Sequence, residues 1–178
     1  MRYINLDMDG VVADFNAWCS ELLGRPISWE GRDLSDEEWK ILASQDSVYG
    51  KLPLITESVE LVLMAKKAAR DFDLGLRFLT AIPWRTTMPE AEQDKRDWIE
   101  HYFPGIPVEI GPYSKDKQNW CKPLDILVDD KKENAMQWLS KGGISVYHTG
   151  NWEATLANFE KAIKMDHAAC LGATGKYY

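Results

Sequence analysis

No apolar run in this chain is longer than a handful of residues, far short of the roughly 18 that a membrane-spanning helix needs. Met1-Arg2-Tyr3 leads straight into a strand-like segment instead of a charged and then apolar leader. A membrane span and a signal peptide are therefore not expected, and the reading is of a cytoplasmic protein. Basic residues are in deficit: 21 Lys and Arg against 28 Asp and Glu leave a formal net charge of −7. That sign is wrong for tracking a long nucleic acid by counterion release. A small phosphate ester needs only a local positive pocket and stays open. Cysteine is scarce. Cys19, Cys121 and Cys170 are odd in number, far apart and outside any CxxC pattern, so we expect reduced thiols and no zinc site or disulfide framework. The three histidines, His101, His148 and His167, form no metal or triad pattern, and surface or capping roles are expected of them.

What the chain does contain is a regular alternation of short apolar runs and helical stripes. Its 178 residues, 45% apolar and 28% charged, suit one globular core with room for a small insertion. Strands are expected at Tyr3 to Leu6, Leu74 to Leu79, Val108 to Ile110, Asp125 to Val128 and Ile144 to Tyr147, brief and apolar as parallel strands covered on both faces tend to be. Ala91, Lys95, Trp98, Ile99 and Tyr102 share one helical stripe, ended by Pro104-Gly105. Ala135, Trp138 and Leu139 form a short face that stops at Gly142-Gly143, and Trp152, Thr155, Leu156, Phe159 and Ile163 form another. Strand and helix in series imply right-handed crossovers and an α/β fold, Rossmann-like, with a parallel sheet and helices on both faces.

Between the first strand and the helix beginning near Thr56 lie some fifty residues with no clear strand. A helix over Val12 to Leu23 opens them, and Ser35-Asp36-Glu37-Glu38 is a capping-box pattern ahead of Trp39, Leu42 and Ala43. We read this as a small helical cap inserted after the first strand; the alternative is a long crossover packed on one face. The expected organisation is a core of residues 1–15 and 56–165, a cap of 16–55, and a tail of 166–178. The tail is small-residue, aperiodic and extended, and it wraps the domain or mediates association into a homodimer.

In open parallel sheets ligands bind beyond the carboxyl ends of the strands. Here those ends are polar: Asp7-Met8-Asp9-Gly10, Thr80, the loop Ser114-Lys115-Asp116-Lys117, and Asp129-Asp130. Two carboxylates about 4 Å apart repel by about 4 kcal/mol at an effective dielectric near 20. Gathering Asp7, Asp9, Asp129 and Asp130 therefore calls for a compensating charge. A hard divalent cation fits, Mg²⁺ above all, since it is usually held by one or two carboxylates together with substrate phosphate.

The order and spacing of Asp7-Met8-Asp9-Gly10-Val11-Val12, Thr80, Lys117 and Asp129-Asp130 resemble the four motifs of the haloacid dehalogenase-like (HAD-like) phosphatases, over nearly the whole chain. Asp7 through Phe15 and Lys95 through Phe103 look more narrowly like the 5′(3′)-deoxyribonucleotidases, Mg²⁺-dependent enzymes that dephosphorylate deoxynucleoside monophosphates. The resemblance implies an HAD-like core with Asp7 as nucleophile, forming an aspartyl-phosphate, and Asp9 as acid and base. It further implies Mg²⁺ held by Asp7, the backbone carbonyl of Asp9 and Asp130, with Asp129 in support, and phosphoryl oxygens bound by Thr80 and Lys117. The dehalogenating branch lacks an acid two residues after the nucleophile, so Asp9 favours phosphoryl transfer.

Lys115 rivals Lys117, both lying in one loop; Asp116-Lys117 resembles the nucleotidase pair. Lys95 lies on an apolar stripe and has two readings: an ammonium near the phosphate, or a stem covering Trp98 with its head reaching water. Ala81 departs from the usual Ser after the motif Thr, leaving only a backbone N–H for the phosphate. Of the eight Trp, seven Tyr and five Phe, Phe15, Trp18, Trp29, Tyr49 and Trp84 fall where a cap would face the crevice. Phe15 matches the family's position near the base. The expected partner is a small nucleotide, with neither long nucleic acid nor membrane. Two other readings are a phosphatase for a sugar phosphate or a nucleic-acid-end phosphate, and a non-catalytic nucleotide-binding module.

Overall fold

The structure is a computed structural model that describes residues 1–27, 34–83, 88–111 and 113–173, with side chains through 168. Among these, five parallel strands form one sheet in the order β3-β2-β1-β4-β5: β1 Tyr3–Leu6, β2 Gly75–Ala81, β3 Val108–Gly111, β4 Ile126–Asp129 and β5 Ile144–Tyr147. This is a Rossmann-like order. The helices are α1 Phe15–Leu23, α2 Asp36–Ala43, α3 Ser58–Asp71, α4 Ala91–Tyr102, α5 Lys132–Ser140 and α6 Trp152–Ala173. None is long and apolar enough to cross a membrane.

Both sheet faces are covered, which is why the strands are mostly apolar. Ile4, Leu6, Phe78, Ile126 and Val128 belong to the large cluster that takes in α3 (Leu61, Ala65), α4 (Trp98, Ile99) and α6 (Phe159, Ile163). Their neighbours Leu79 and Leu127 face the other way, onto Trp138 of α5 and Trp120. Strand starts are set by side chains. A Cβ on Gly75 would come within 2.3 Å of the Tyr3 ring, so only glycine lets β2 pair Gly75 with Tyr3. Asp125, expected in the fourth strand, precedes it: its carboxylate accepts from the N–H of Tyr3 (2.7 Å) and of Lys122 (3.2 Å).

The first helix is shorter than Val12 to Leu23 because Val12 and Asp14 are engaged elsewhere. Ile55 N–H donates to Val12 O (2.9 Å) and Asp14 N–H to Pro53 O (2.8 Å), so the chain leaving β1 is paired with the chain returning toward α3. Asp14 then caps α1, accepting from Ala17 N–H. Between these pairings sit α1, α2 with the expected capping box of Ser35 and Glu38, and the 3-10 turn Tyr49–Lys51. Phe15, Cys19, Leu42, Tyr49 and Leu52 bury into the same cluster as the sheet. Cys19 is a buried thiol outside any disulfide, and burial pushes Cys121 up to about 11, out of the reactive range.

Two expectations are corrected. The segment from Asp166 is not extended; α6 runs on to Ala173. Asp166 is buried and paired with Arg2, and His167 packs on the Phe72 ring at 4.8 Å, so tertiary anchors hold a stretch that has no apolar stripe of its own. His148 is neither superficial nor a cap. It is fully buried at the end of β5, its Nδ1 2.7 Å from Thr155 Oγ1.

Burial pushes His148 down from 6.5 to about 4. The unfolded chain takes the proton first as pH falls, so this contribution is complete above pH 6.5 and is lost as pH falls from 6.5 to 4, by up to about 3 kcal/mol. Urea midpoints between pH 7 and 4.5 are expected to fall more steeply for the wild type than for His148→Gln. Parallel slopes would refute this assignment.

Candidate active site

The turn after β1 delivers two carboxylates to the carboxyl edge of the sheet. Asp7 N–H donates to Val128 O (2.9 Å), prolonging the β1-β4 pairing by one residue. Met8 O then accepts from the N–H groups of Val11, Val12 and Ala13, a tight turn made possible by Gly10 at φ 78°. Asp129 and Asp130 come off the end of adjacent β4. Neighbouring strands are about 4.8 Å apart, so acids at the ends of β1 and β4 must crowd. Ligand oxygens of Asp7, Asp129 and Asp130 lie within 4.8 Å of one another. The site falls at the sheet's topological switch point, where successive strands stop adding on one side of β1 and start on the other.

Lys117 answers this charge. It projects from the 3-10 segment Ser114–Trp120, is only 2% exposed, and places Nζ 2.7 Å from Asp7 Oδ2 and 2.7 Å from Asp129 Oδ2. Burial alone would lower its pKa, but Asp129 and Asp7 outweigh burial and raise it, so the ammonium persists. Lys115 is exposed, so of the two lysines it is Lys117 that faces the acids. The carboxyl of Asp129 is pushed up by burial, with Lys117 opposing and Asp7 adding to the rise. One ammonium thus serves Asp7 and Asp129 together.

A second pair stands beside the first. Lys95 of α4 is fully buried, with Nζ 2.5 Å from Asp9 Oδ2, 3.0 Å from Thr80 Oγ1 and 4.3 Å from the centre of the Tyr49 ring. The reading in which its head reaches water is excluded. Burial pulls the pKa of Lys95 below its ordinary value, against the pull of Asp9 and, less strongly, Asp7. Thr80 lies inside β2, which runs two residues past the expected end, and Ala81 pairs with Gly111 of β3.

The structure therefore brings Asp7, Asp9, Thr80, Lys95, Lys117, Asp129 and Asp130 into two linked charge clusters. Phe15 is not among them. It is 2% exposed, stacked on Tyr49 (centroids 6.0 Å, 18° between planes) and against Trp39 (6.2 Å), and Tyr49 connects it to Lys95. Trp18 packs half-buried on the core, while Trp29 and Trp84 lie outside the described residues. A cavity of about 190 Å³ opens next to Tyr49, between residues 43–49 and 88–94; its lining includes Ser44, Gln45, Asp46, Glu90 and Asp94.

The donor set fits a hard divalent cation: three clustered carboxylates and, among the described residues, no sulfur or imidazole ligand beside them. Motif reading missed one contributor, Asn134 of α5. This residue is buried and donates through Nδ2 to both oxygens of Asp129, at 3.0 and 3.1 Å. Its only advance signal is helical phase, one turn before buried Trp138. In comparisons with known proteins, the chain matches no protein-family model and no curated sequence.

Proposed function

We propose that this chain is a Mg²⁺-dependent phosphomonoester hydrolase acting on deoxynucleoside monophosphates through an aspartyl-phosphate, in cytoplasmic nucleotide salvage or pool control. The observation that carries the reading is the division of the site: Asp7 sits with Lys117 and the acids of β4, while Asp9, two residues on, sits with Lys95 and Thr80. A nucleophile and an acid-base group need different surroundings to do different work.

In this mechanism Asp7 and Asp130 hold Mg²⁺, with the Asp9 carbonyl, and the ion supplies neutralising charge for the phosphoryl oxygens. A carboxylate oxygen of Asp7 attacks phosphorus in line. As its bond to phosphorus forms, the bond to the leaving oxygen breaks, and protonated Asp9 gives that oxygen its proton. Lys117, Lys95 and the Thr80 hydroxyl bind the phosphoryl oxygens. Water then attacks phosphorus, Asp9 takes its proton, and phosphate and the free Asp7 carboxylate are released.

The cavity beside Tyr49 favours a second reading of the leaving group. Half of its lining is polar, from Ser44, Gln45, Asp46, Ser47, Glu90 and Asp94, which suits a hydroxyl-rich sugar phosphate as well as a nucleoside. Phosphate release from deoxynucleoside and sugar monophosphates, with Mg²⁺ and with chelator, tests both. Turnover of the deoxynucleotides that chelator stops is the expected result, and preference for sugar phosphates would install the second reading. Absence of Mg²⁺-dependent release from every monophosphate would refute the hydrolase.

A further inference from the structure

Asn134 and Ser114 close a ring of hydrogen bonds around the base of the site. Ser114 Oγ donates to Asn134 Oδ1 (3.1 Å), Asn134 Nδ2 donates to Asp129, and Asp129 accepts from Lys117 Nζ. Ser114 and Lys117 are three residues apart in a 3-10 segment, where positions i and i+3 lie on one side. The ring therefore ties both ends of one helical turn to α5.

Asp129 is fully buried and accepts from three donors: Lys117 Nζ on Oδ2, Lys131 N–H (2.9 Å) on Oδ1, and Asn134 on both oxygens. A carboxylate has about four lone-pair sites, and these contacts occupy them. So engaged, Asp129 serves as the anchor of Lys117, while Asp7 and Asp130 are the carboxylates placed to bind a cation. An amide suits position 134 because one end must donate to a carboxylate and the other accept from a hydroxyl.

Resting on the hydrolase reading above, we propose that Asn134 is a positioning residue: by satisfying Asp129 it lets Lys117 be shared between Asp129 and Asp7 and not drawn wholly onto Asp129. Without Asn134, Lys117 leans on Asp129, and Asp7, no longer held by the ammonium, loses its orientation toward both Mg²⁺ and the incoming phosphorus. Partners of this kind, one step removed from a metal site, are commonly worth 10–100-fold in affinity or activity.

The test uses the full chain with Asn134→Ala and Ser114→Ala. Asn134→Ala is expected to lower kcat by about 10-fold or more with KM little changed, and to weaken Mg²⁺ binding in calorimetry by about 10-fold. Ser114→Ala, which leaves Asp129 and its other donors in place, is expected to shift both quantities the same way but less, and covers the case in which Asn134→Ala does not fold. Wild-type kcat and Mg²⁺ affinity in whichever variants fold, whatever their melting temperature in chelator, would overturn the proposal. If the wild type hydrolyses no monophosphate, the hydrolase reading falls by itself, and the Mg²⁺ titrations still judge Asn134.

Discussion

Asp7→Asn is expected to lower phosphate release by about 10³-fold or more while the protein melts within about 3 °C of the wild type in chelator. The carboxamide oxygen is a poor nucleophile, so the covalent step is lost and not merely slowed. Folding should tolerate the change because the substitution is isosteric and removes one negative charge from a cluster that includes Asp129 and Asp130. Lys117 keeps its contact with Asp129. Mg²⁺ affinity should fall with the loss of a ligand. Release of phosphate by purified Asp7→Asn at a tenth of the wild-type rate would move the nucleophile elsewhere and with it the whole mechanism.

Lys117→Met is expected to damage both stability and activity. The lysine is 2% exposed and bridges Asp7 and Asp129 at 2.7 Å each, so its removal leaves two buried carboxylates without their counter-ion. Breaking a buried pair in this way costs about 3–5 kcal/mol, or roughly 10 °C for a chain of this length. The pH dependence carries a sign. Asp129 is already raised above 3.8, and without Lys117 it rises further, so the folded variant binds a proton that the unfolded chain does not. The contribution of Asp129 is therefore fullest below pH 3.8 and is lost as pH rises through the folded value. Mg²⁺ should restore part of the loss by binding the folded state. Turnover should fall by about 10²-fold or more with the loss of a phosphoryl contact. Thermal melts from pH 4 to 8, with and without Mg²⁺, check this; a variant as stable as the wild type at pH 7 would show that Lys117 is not the counter-ion of the cluster.

Much of this could be read from the linear chain wherever the physics is local. Strand positions followed from short apolar runs, and their ends erred by a residue or two where a side chain elsewhere set the limit, as Tyr3 and Asp125 do. The capping box of α2 needs only neighbouring residues and came out as expected. Lys95 was ambiguous because a lysine on an apolar stripe either reaches water or finds a buried acid, and the acid is 86 positions away in Asp9. His148 and the end of α6 were misread for the same reason: Thr155 and Arg2 are the partners that explain them, and neither belongs to a local pattern. Asn134 left no trace beyond its helical phase, since an asparagine on a helix is ordinary until Asp129 and Ser114 are seen on either side of it.

By itself, then, the sequence determined which residue types stand at the strand ends, the α/β alternation and the acidic net charge. Those properties depend on spacing and composition alone. Only the tertiary structure decided that Lys117 and not Lys115 faces the acids, that Lys95 turns inward to Asp9, and that Phe15 stacks in the core. Each of those outcomes depends on the pairing of β1 with β4 and on the seating of α4 and α5 against the sheet, distances between segments that no local periodicity encodes.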